Sequence, residues 1–362
     1  MRYTLAIIFI FVLVSNVFGQ SISSIAASQS IELTGEHGAF FFNEKIPHLT
    51  NTSLTGFSVG YQKTPIPLYN WANTSKEFAF RAKLTYLDFR NKNLGKAVGL
   101  QAFLDIPVVQ CAKSTIYANT GVGLLYSGSH FSIKESNLNF AIGAPLSYKI
   151  NFGVGFKRHW GQRWYSRTEL SFMHVSNGGI RVPNLGLNSA QMAVGVGYVF
   201  SQKEKPANEL SKPRLQPAKK SRWLLQLGGG LRQPEWLLAK KYAMVYLGVL
   251  RERLFFEKVY LGIGVDYFYD WATKYEVNTG IVVGNSLHHR IGLLAQQEWL
   301  FGRMGLQAGL GYHVVKQTAD PDWYQKAGLK FHINDKFSVA SHLIVRNFKG
   351  SYAVIWGGAY AF

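Results

Sequence analysis

The chain has 362 residues, of which 47% are hydrophobic, 15% aromatic and only 16% charged, and its net charge is +19. Soluble domains usually contain about 25% charged residues, so this composition disfavours an ordinary soluble protein. The single cysteine, Cys111, excludes an intramolecular disulfide. Beyond the N-terminus, no stretch approaches the roughly 18 apolar residues of a membrane-spanning helix. Because closed barrels are the other structure that spans a bilayer, the composition predicts a transmembrane β-barrel.

The first residues predict a signal peptide. Arg2 supplies a positive charge, and an apolar run extends from Leu5 to Val14. The small residues Val17 and Gly19 stand three positions and one position before Gln20. This order of features predicts a cleaved secretory signal over residues 1–19. The alternative, a membrane anchor helix, is disfavoured because the apolar run is too short to span a bilayer.

The rest of the chain predicts one strand after another. Period-2 patterns with residues that favour strands occupy Phe78–Phe89, Ala97–Val109, Thr115–Tyr126, Ser147–Phe156 and Arg163–Met173. Short polar turns separate many of them, and no convincing helical period follows the signal. The chain is therefore predicted to be all-β and antiparallel.

Two similar strands end the two halves of the chain. At the C-terminus one face carries mostly large residues, namely Tyr352, Val354, Trp356, Gly358, Tyr360 and Phe362, and the alternate residues are mostly small. Met192, Val194, Val196, Tyr198 and Phe200 repeat this pattern. Large residues facing lipid and small residues facing a crowded interior are typical of barrels. The repetition predicts an internal duplication.

A basic segment with three prolines and no aromatic residue separates the halves. We therefore predict four parts: the signal peptide (1–19), a first barrel (20–201), a periplasmic linker (202–221) and a second barrel (222–362). Each barrel is expected to contain eight strands, because an even number returns the chain to the same side. A single sixteen-stranded barrel is the alternative, and it would require an unusually long periplasmic turn.

Polar side chains break the lipid-facing pattern of one strand. His174 and Ser176 continue the face of Trp164, Leu170 and Phe172, whereas Glu169 belongs to the opposite face. Since charges belong inside a barrel, His174 and Ser176 are predicted to face lipid. Polar residues at a lipid boundary suggest function, and side chains two apart on a strand can exchange a proton.

The segment from His174 to Gly186 resembles the active-site signature of the lipid A 3-O-deacylase family of outer-membrane esterases. All fixed positions of H-x-S-N-x-G-x-x-x-P-N-x-G are present, and a weaker resemblance extends over about residues 25–201. Within this family, the chain resembles the branch described as acyloxyacyl hydrolases. The segment His130-Phe131-Ser132 lacks this context and is interpreted as coincidence.

The resemblance implies an esterase that needs no cofactor or metal. Ser176 would be the nucleophile and His174 its general base, with Asn177 and Asn184 supporting the oxyanion or its loop, which Pro183 and Gly186 would shape. The family's catalytic acid, typically glutamate, falls at Asn188. An asparagine can orient an imidazole but cannot stabilise imidazolium by charge.

The implied substrate is lipid A in lipopolysaccharide. For an exported barrel with a net positive charge, the phosphates of lipopolysaccharide are a better-suited anionic partner than nucleic acid. Outer-membrane lipid is the other expected partner. Two alternatives stay open: a non-catalytic barrel that binds lipopolysaccharide or stabilises the membrane, and a pore for small apolar molecules. His288-His289 and Gly228-Gly229-Gly230 are interpreted as a polar loop pair and as barrel packing.

Overall fold

The computed structural model describes residues 26–64, 78–204, 220–234, 240–255, 258–278, 288–316, 320–348 and 350–362. The predicted signal peptide and most of the predicted linker lie outside these ranges. In the described part of the chain, strands dominate, and the helices are the short α1 (Pro47–Thr50) and α2 (Thr273–Asn278). Neither of these two helices is long and apolar enough to cross a bilayer.

The first half of the chain forms a closed antiparallel barrel of eight strands in sequence order. These are β1 (Ala26–Phe40), β2 (Ser53–Thr64), β3 (Ala79–Asp88), β4 (Lys96–Gln110), β5 (Ser114–Ser127), β6 (Leu146–His159), β7 (Trp164–Ser176) and β8 (Leu187–Glu204). Pairing of β1 with β8 closes the barrel, so every strand has two hydrogen-bonded neighbours. A membrane requires this closure because lipid cannot satisfy a free strand edge.

The second half forms another closed eight-stranded barrel. Its strands are β9 (Ser221–Arg232), β10 (Tyr242–Phe255), β11 (Val259–Asp270), β12 (His289–Phe301), β13 (Met304–Val315), β14 (Trp323–His332), β15 (Phe337–Arg346) and β16 (Gly350–Ala361). Pairing of β16 with β9 closes it. The prediction of two eight-stranded barrels is therefore confirmed, and the sixteen-stranded alternative is not the arrangement found.

Ion-paired side chains fill the interior of the first barrel. Arg81 is fully buried and contacts Glu169 at 2.6 Å and Asp105 at 3.0 Å. Arg167 lies beside it, 2.7 Å from Glu32 and 2.9 Å from Asp105. Removing one partner of such a buried pair typically costs about 3–5 kcal/mol, because the other charge is left uncompensated. Each charge of the inward face thus depends on its partner, and an interior filled with paired charges disfavours a pore for apolar molecules.

The second barrel has an interior of the same kind. Lys326 lies 3.3 Å from Asp266, and Lys330 lies 2.6 Å from Glu298, with all four side chains fully buried. Arg222 adds a contact of 2.7 Å to Glu252. These ion pairs therefore lie inside the barrel, where lipid cannot reach them.

An apolar cluster closes one end of the first barrel. It lies at the end where the β1–β2, β3–β4, β5–β6 and β7–β8 connections are found. The start of β1 and the end of β8 lie at the opposite end of the barrel. Leu49 of α1, Phe89, Ile142, Val175 and Leu187 are among its fully or almost fully buried members. The loops of this end are consequently anchored on a packed core, and they provide rigid support for residues at the tips of β7 and β8.

The predicted faces hold for β8 but fail at two residues of β16, Tyr352 and Val354, which are both buried. Met192, Val194, Val196 and Phe200 are exposed, as expected. Tyr352, predicted to face outward with Trp356, is instead 6% exposed, and its ring lies 3.8 Å from the guanidinium of Arg346. The β15–β16 register shifts here, since Val345 pairs with Ser351 and Ile344 with Ala353. This β-bulge inserts one residue and turns Tyr352 inward.

Candidate functional site

Pairing of β7 with β8 brings His174 and Asn188 together. The two residues lie directly opposite each other in the register, and His174 Nδ1 is 2.7 Å from Asn188 Oδ1. Because an amide oxygen only accepts hydrogen bonds, this contact places the imidazole proton on Nδ1. Nε2 is then the unprotonated ring nitrogen, which is the tautomer that a general base requires.

Ser176 ends β7 and lies on the same outward face as His174. Along this strand, Leu170 and Phe172 of that face are exposed, whereas Glu169, Met173 and Val175 of the other face are buried. The predicted outward orientation of the pair thus agrees with the burial pattern. Glu169 is bound to Arg81 inside the barrel and is not part of this site.

The two asparagines of the motif connect Ser176 to the following loop. Asn184 Nδ2 donates to Ser176 Oγ at 2.9 Å, and the Asn184 side-chain oxygen accepts from the Asn177 backbone N–H at 3.0 Å. Asn184 therefore holds the loop that follows β7 against the hydroxyl. Asn177 contributes to this loop through its backbone.

Gly186 completes the loop in a conformation that requires glycine. Its φ is +73°, in the left-handed region that other residues rarely adopt. A Cβ atom at this position would lie 3.0 Å from the Val175 carbonyl oxygen, 3.3 Å from His174 Cε1 and 3.8 Å from Ser176 Cβ. The backbone at Gly186 thus packs directly against the His–Ser pair.

The β5–β6 loop supports the same segment from the other side. Leu185 N–H donates to the Phe140 carbonyl at 3.1 Å, and Gly186 N–H donates to the Ala141 carbonyl at 3.0 Å. Asn139, fully buried, fixes this supporting loop: its Nδ2 donates to the Asn93 carbonyl at 2.9 Å, and its Oδ1 accepts from Ile142 N–H at 3.0 Å.

Sequence reasoning did not identify Asn139. It lies more than thirty positions before the motif, and no spacing rule links it to His174 or Ser176. An asparagine before an apolar run, here Phe140-Ala141-Ile142, indicates a turn. That pattern does not indicate which loop the turn supports.

The other sequence candidates lie elsewhere. His130 and Ser132 belong to the β5–β6 loop. His288 Nδ1 is 3.2 Å from the Asp270 carbonyl oxygen, and His289 Nδ1 is 2.7 Å from Tyr267 Oη, so the two rings have separate partners. No group of three possible metal ligands occurs among the described residues.

The fold and the site define a membrane β-barrel with a histidine–serine pair on its outward face at one rim. Residues 55–197 match the family model "Lipid A 3-O-deacylase (PagL)", and residues 221–362 match the model "Acyloxyacyl hydrolase, C-terminal domain". Residues 55–197 therefore belong to the lipid A 3-O-deacylase family of outer-membrane barrels, as the signature predicted. This membership places the chain in the outer membrane, whereas cleavage of the signal peptide stays a prediction.

Solved barrels are also similar to parts of the chain. The crystal structure of the outer membrane enzyme PagL is 14% identical, with a TM-score of 0.31, and the match covers 45% of this chain and 97% of that one. The N-terminal β-barrel domain of Pseudomonas aeruginosa OprF is 17% identical, with a TM-score of 0.28, covering 48% and 99%. No curated protein sequence matches the chain.

Proposed function

We propose that this protein is a serine esterase that hydrolyses a fatty-acyl ester of lipid A, with Ser176 as nucleophile and His174 as general base. The observation that carries the proposal is the 2.7 Å contact between His174 and Asn188, which leaves Nε2 unprotonated on the face that also carries Ser176. A neutral imidazole whose Nε2 carries no proton, on the same strand face as a hydroxyl, is the arrangement that activates serine.

The proposed reaction proceeds through an acyl-enzyme. Ser176 Oγ attacks the ester carbonyl carbon while His174 Nε2 takes the hydroxyl proton. The tetrahedral intermediate collapses, and His174 returns this proton to the leaving sugar oxygen. Water, deprotonated by His174, then attacks the acyl-serine; the second intermediate collapses, the fatty acid leaves, and His174 returns the proton to Ser176 Oγ.

Asn184 is the residue best placed to support the oxyanion. Its Nδ2, which donates to Ser176 Oγ at 2.9 Å, carries a second proton that can point toward the developing charge. The Asn188 amide orients His174 but adds no negative charge to stabilise the imidazolium. We therefore expect a slower enzyme than one with glutamate at this position, acting by the same chemistry.

The location of the site suits a substrate that stays in the bilayer. The exposed apolar residues Leu170, Phe172 and Met192 surround its membrane side, with 58%, 37% and 50% of their surfaces exposed. The turns between β4 and β5 and between β6 and β7 are short, and the connections at the site end are longer. Long loops are typical of the extracellular end of such barrels. Lipopolysaccharide occupies that leaflet, so the acyl ester of lipid A can reach Ser176 from within the membrane.

Mass spectrometry of lipid A tests the proposal. Cells that produce Ser176→Ala or His174→Ala should retain the acyl chain that wild-type cells remove, with rates lower by on the order of 10³-fold or more. Ser166→Ala is the matched control, since Ser166 lies on the outward face of the same strand. Heat-dependent gel mobility confirms that each variant is folded. Full deacylation by Ser176→Ala would refute the assignment, and a wild type without activity would favour the lipopolysaccharide-binding barrel.

A further inference from the structure

The outward face of β10 in the second barrel carries two arginines among apolar side chains. Exposed and buried residues alternate along this strand. The exposed residues are, in order, Ala243, Val245, Leu247, Val249, Arg251, Arg253 and Phe255. Both arginines therefore lie on the surface that faces lipid.

The neighbouring strands surround these arginines with apolar and aromatic groups. Arg251 lies between Trp223 of β9 and Ile263 of β11, which are 44% and 70% exposed. The Arg251 guanidinium is 5.4 Å from the Trp223 ring centroid, and the Arg253 guanidinium is 5.6 Å from that of Phe255. Within the described residues, neither arginine forms a salt bridge with a carboxylate. The described surroundings thus supply aromatic faces, and no described carboxylate neutralises either arginine.

This patch lies at the end of the barrel where the chain enters and leaves it. Trp223 N–H donates to the Phe362 carbonyl at 3.0 Å, so the first and last strands meet here. In outer-membrane barrels the short turns of this end face the periplasm. Phe255 follows Arg253 in the outward row, so both arginines precede an aromatic residue of the kind that marks the membrane interface. A guanidinium on the lipid side of such a residue is unfavourable unless an anion accompanies it.

We propose that Arg251, Arg253 and Trp223 form a binding site for the phosphate of an anionic phospholipid in the periplasmic leaflet. Guanidinium groups bind phosphate oxygens in pairs of parallel hydrogen bonds. The two side chains are about 7 Å apart along the strand, a spacing that allows both to reach one headgroup. The indole of Trp223 prefers the headgroup level. Lipopolysaccharide is disfavoured because it occupies the opposite leaflet. The site is independent of the proposed esterase activity.

Native mass spectrometry of the purified full-length protein, titrated with phosphatidylglycerol in detergent, tests this site. The Arg251→Gln/Arg253→Gln variant should bind the lipid about 25-fold more weakly, because each basic group near an anionic lipid contributes about fivefold. Lys240→Gln/Lys241→Gln is the matched control. It removes the same charge from exposed lysines on the β9–β10 connection, at the opposite end of the barrel, and should bind like wild type.

Further measurements distinguish an anionic phospholipid from other ligands that carry phosphate. Phosphatidylcholine should bind much more weakly than phosphatidylglycerol, and millimolar inorganic phosphate should not displace the lipid. Arg251→Lys/Arg253→Lys keeps the charge but loses paired hydrogen bonding, so it should bind with intermediate affinity. The proposal is overturned if the glutamine variant, folded by gel mobility, binds like wild type, if the lysine control weakens binding equally, or if lipopolysaccharide or free phosphate occupies the site instead.

Discussion

The β7–β8 connection of the first barrel and the β15–β16 connection of the second join the last two strands of their barrels, yet they differ in length and content. The first spans residues 177–186 and returns Asn184 and Gly186 to the end of β7. The second spans residues 347–349, with Asn347 and Phe348 at positive φ. Both barrels keep an ion-paired interior, so the scaffold is shared. The comparison indicates that the candidate chemistry depends on one loop and the strand tips that it contacts.

Apart from substitution of His174 or Ser176 themselves, the largest loss of activity is expected from a change at Gly186. Gly186→Ala forces a side chain onto a backbone with a φ of +73° and places Cβ 3.0 Å from the Val175 carbonyl oxygen. A displacement of about 1 Å can lower an enzymatic rate by about 10²-fold, so we expect a loss of that order in lipid A deacylation.

Gly350 is the matched control in the second barrel. It begins β16, as Leu187 begins β8, and a Cβ added to it meets no atom within 4 Å. Gly350→Ala should leave deacylation and folding unchanged. If Gly186→Ala retained full activity, the loop would not position the His–Ser pair.

Substitutions of Asn188 are expected to change the rate of deacylation by a smaller factor, and different substitutions should lower or raise it. Asn188→Ala removes the hydrogen bond to His174 Nδ1 and should slow deacylation about tenfold, which corresponds to about 1.4 kcal/mol, near the net value of one hydrogen bond. Asn188→Asp keeps the size of the side chain and adds the charge that stabilises imidazolium, so it should raise the rate. Asn188→Glu tests the family's residue, which is one methylene longer.

Single-turnover rates of purified, folded variants on lipid A measure these changes. Equal rates for Asn188→Ala and wild type would show that the 2.7 Å contact does not orient the imidazole during the reaction. A slower Asn188→Asp enzyme would indicate that the surroundings of this residue do not tolerate a carboxylate.

The smallest effect is expected when the second barrel is deleted. Residues 20–201 contain all strands of the first barrel except the last three residues of β8. They also contain its ion-paired interior and the apolar cluster at one of its ends. We expect this fragment to fold into membranes, to shift with heat on a gel and to keep its deacylase activity. A fragment that stays protease-sensitive while the full chain folds would show that the barrels are not independent.

Much of the architecture follows from the sequence because a membrane barrel imposes simple rules on it. The period-2 alternation predicted the outward face of β8, the interior position of Glu169 and the outward position of the His174–Ser176 pair, and the burial pattern agrees with all three. The failure at Tyr352 has a local cause: a bulge adds one residue to β16 and reverses the alternation. Such an irregularity depends on the partner strand and leaves no period in the sequence.

The sequence by itself determined the two closing strands and the residues of the motif, because each is encoded by neighbouring positions. It favoured two barrels over one, and the strand pairing of the structure decided between them. Only the tertiary structure decided which groups surround that motif. The β7–β8 register brings Asn188 to His174, and Asn139 holds a distant loop beneath Gly186. These contacts connect residues far apart in the chain, and barrel closure fixes them by satisfying every strand edge at once.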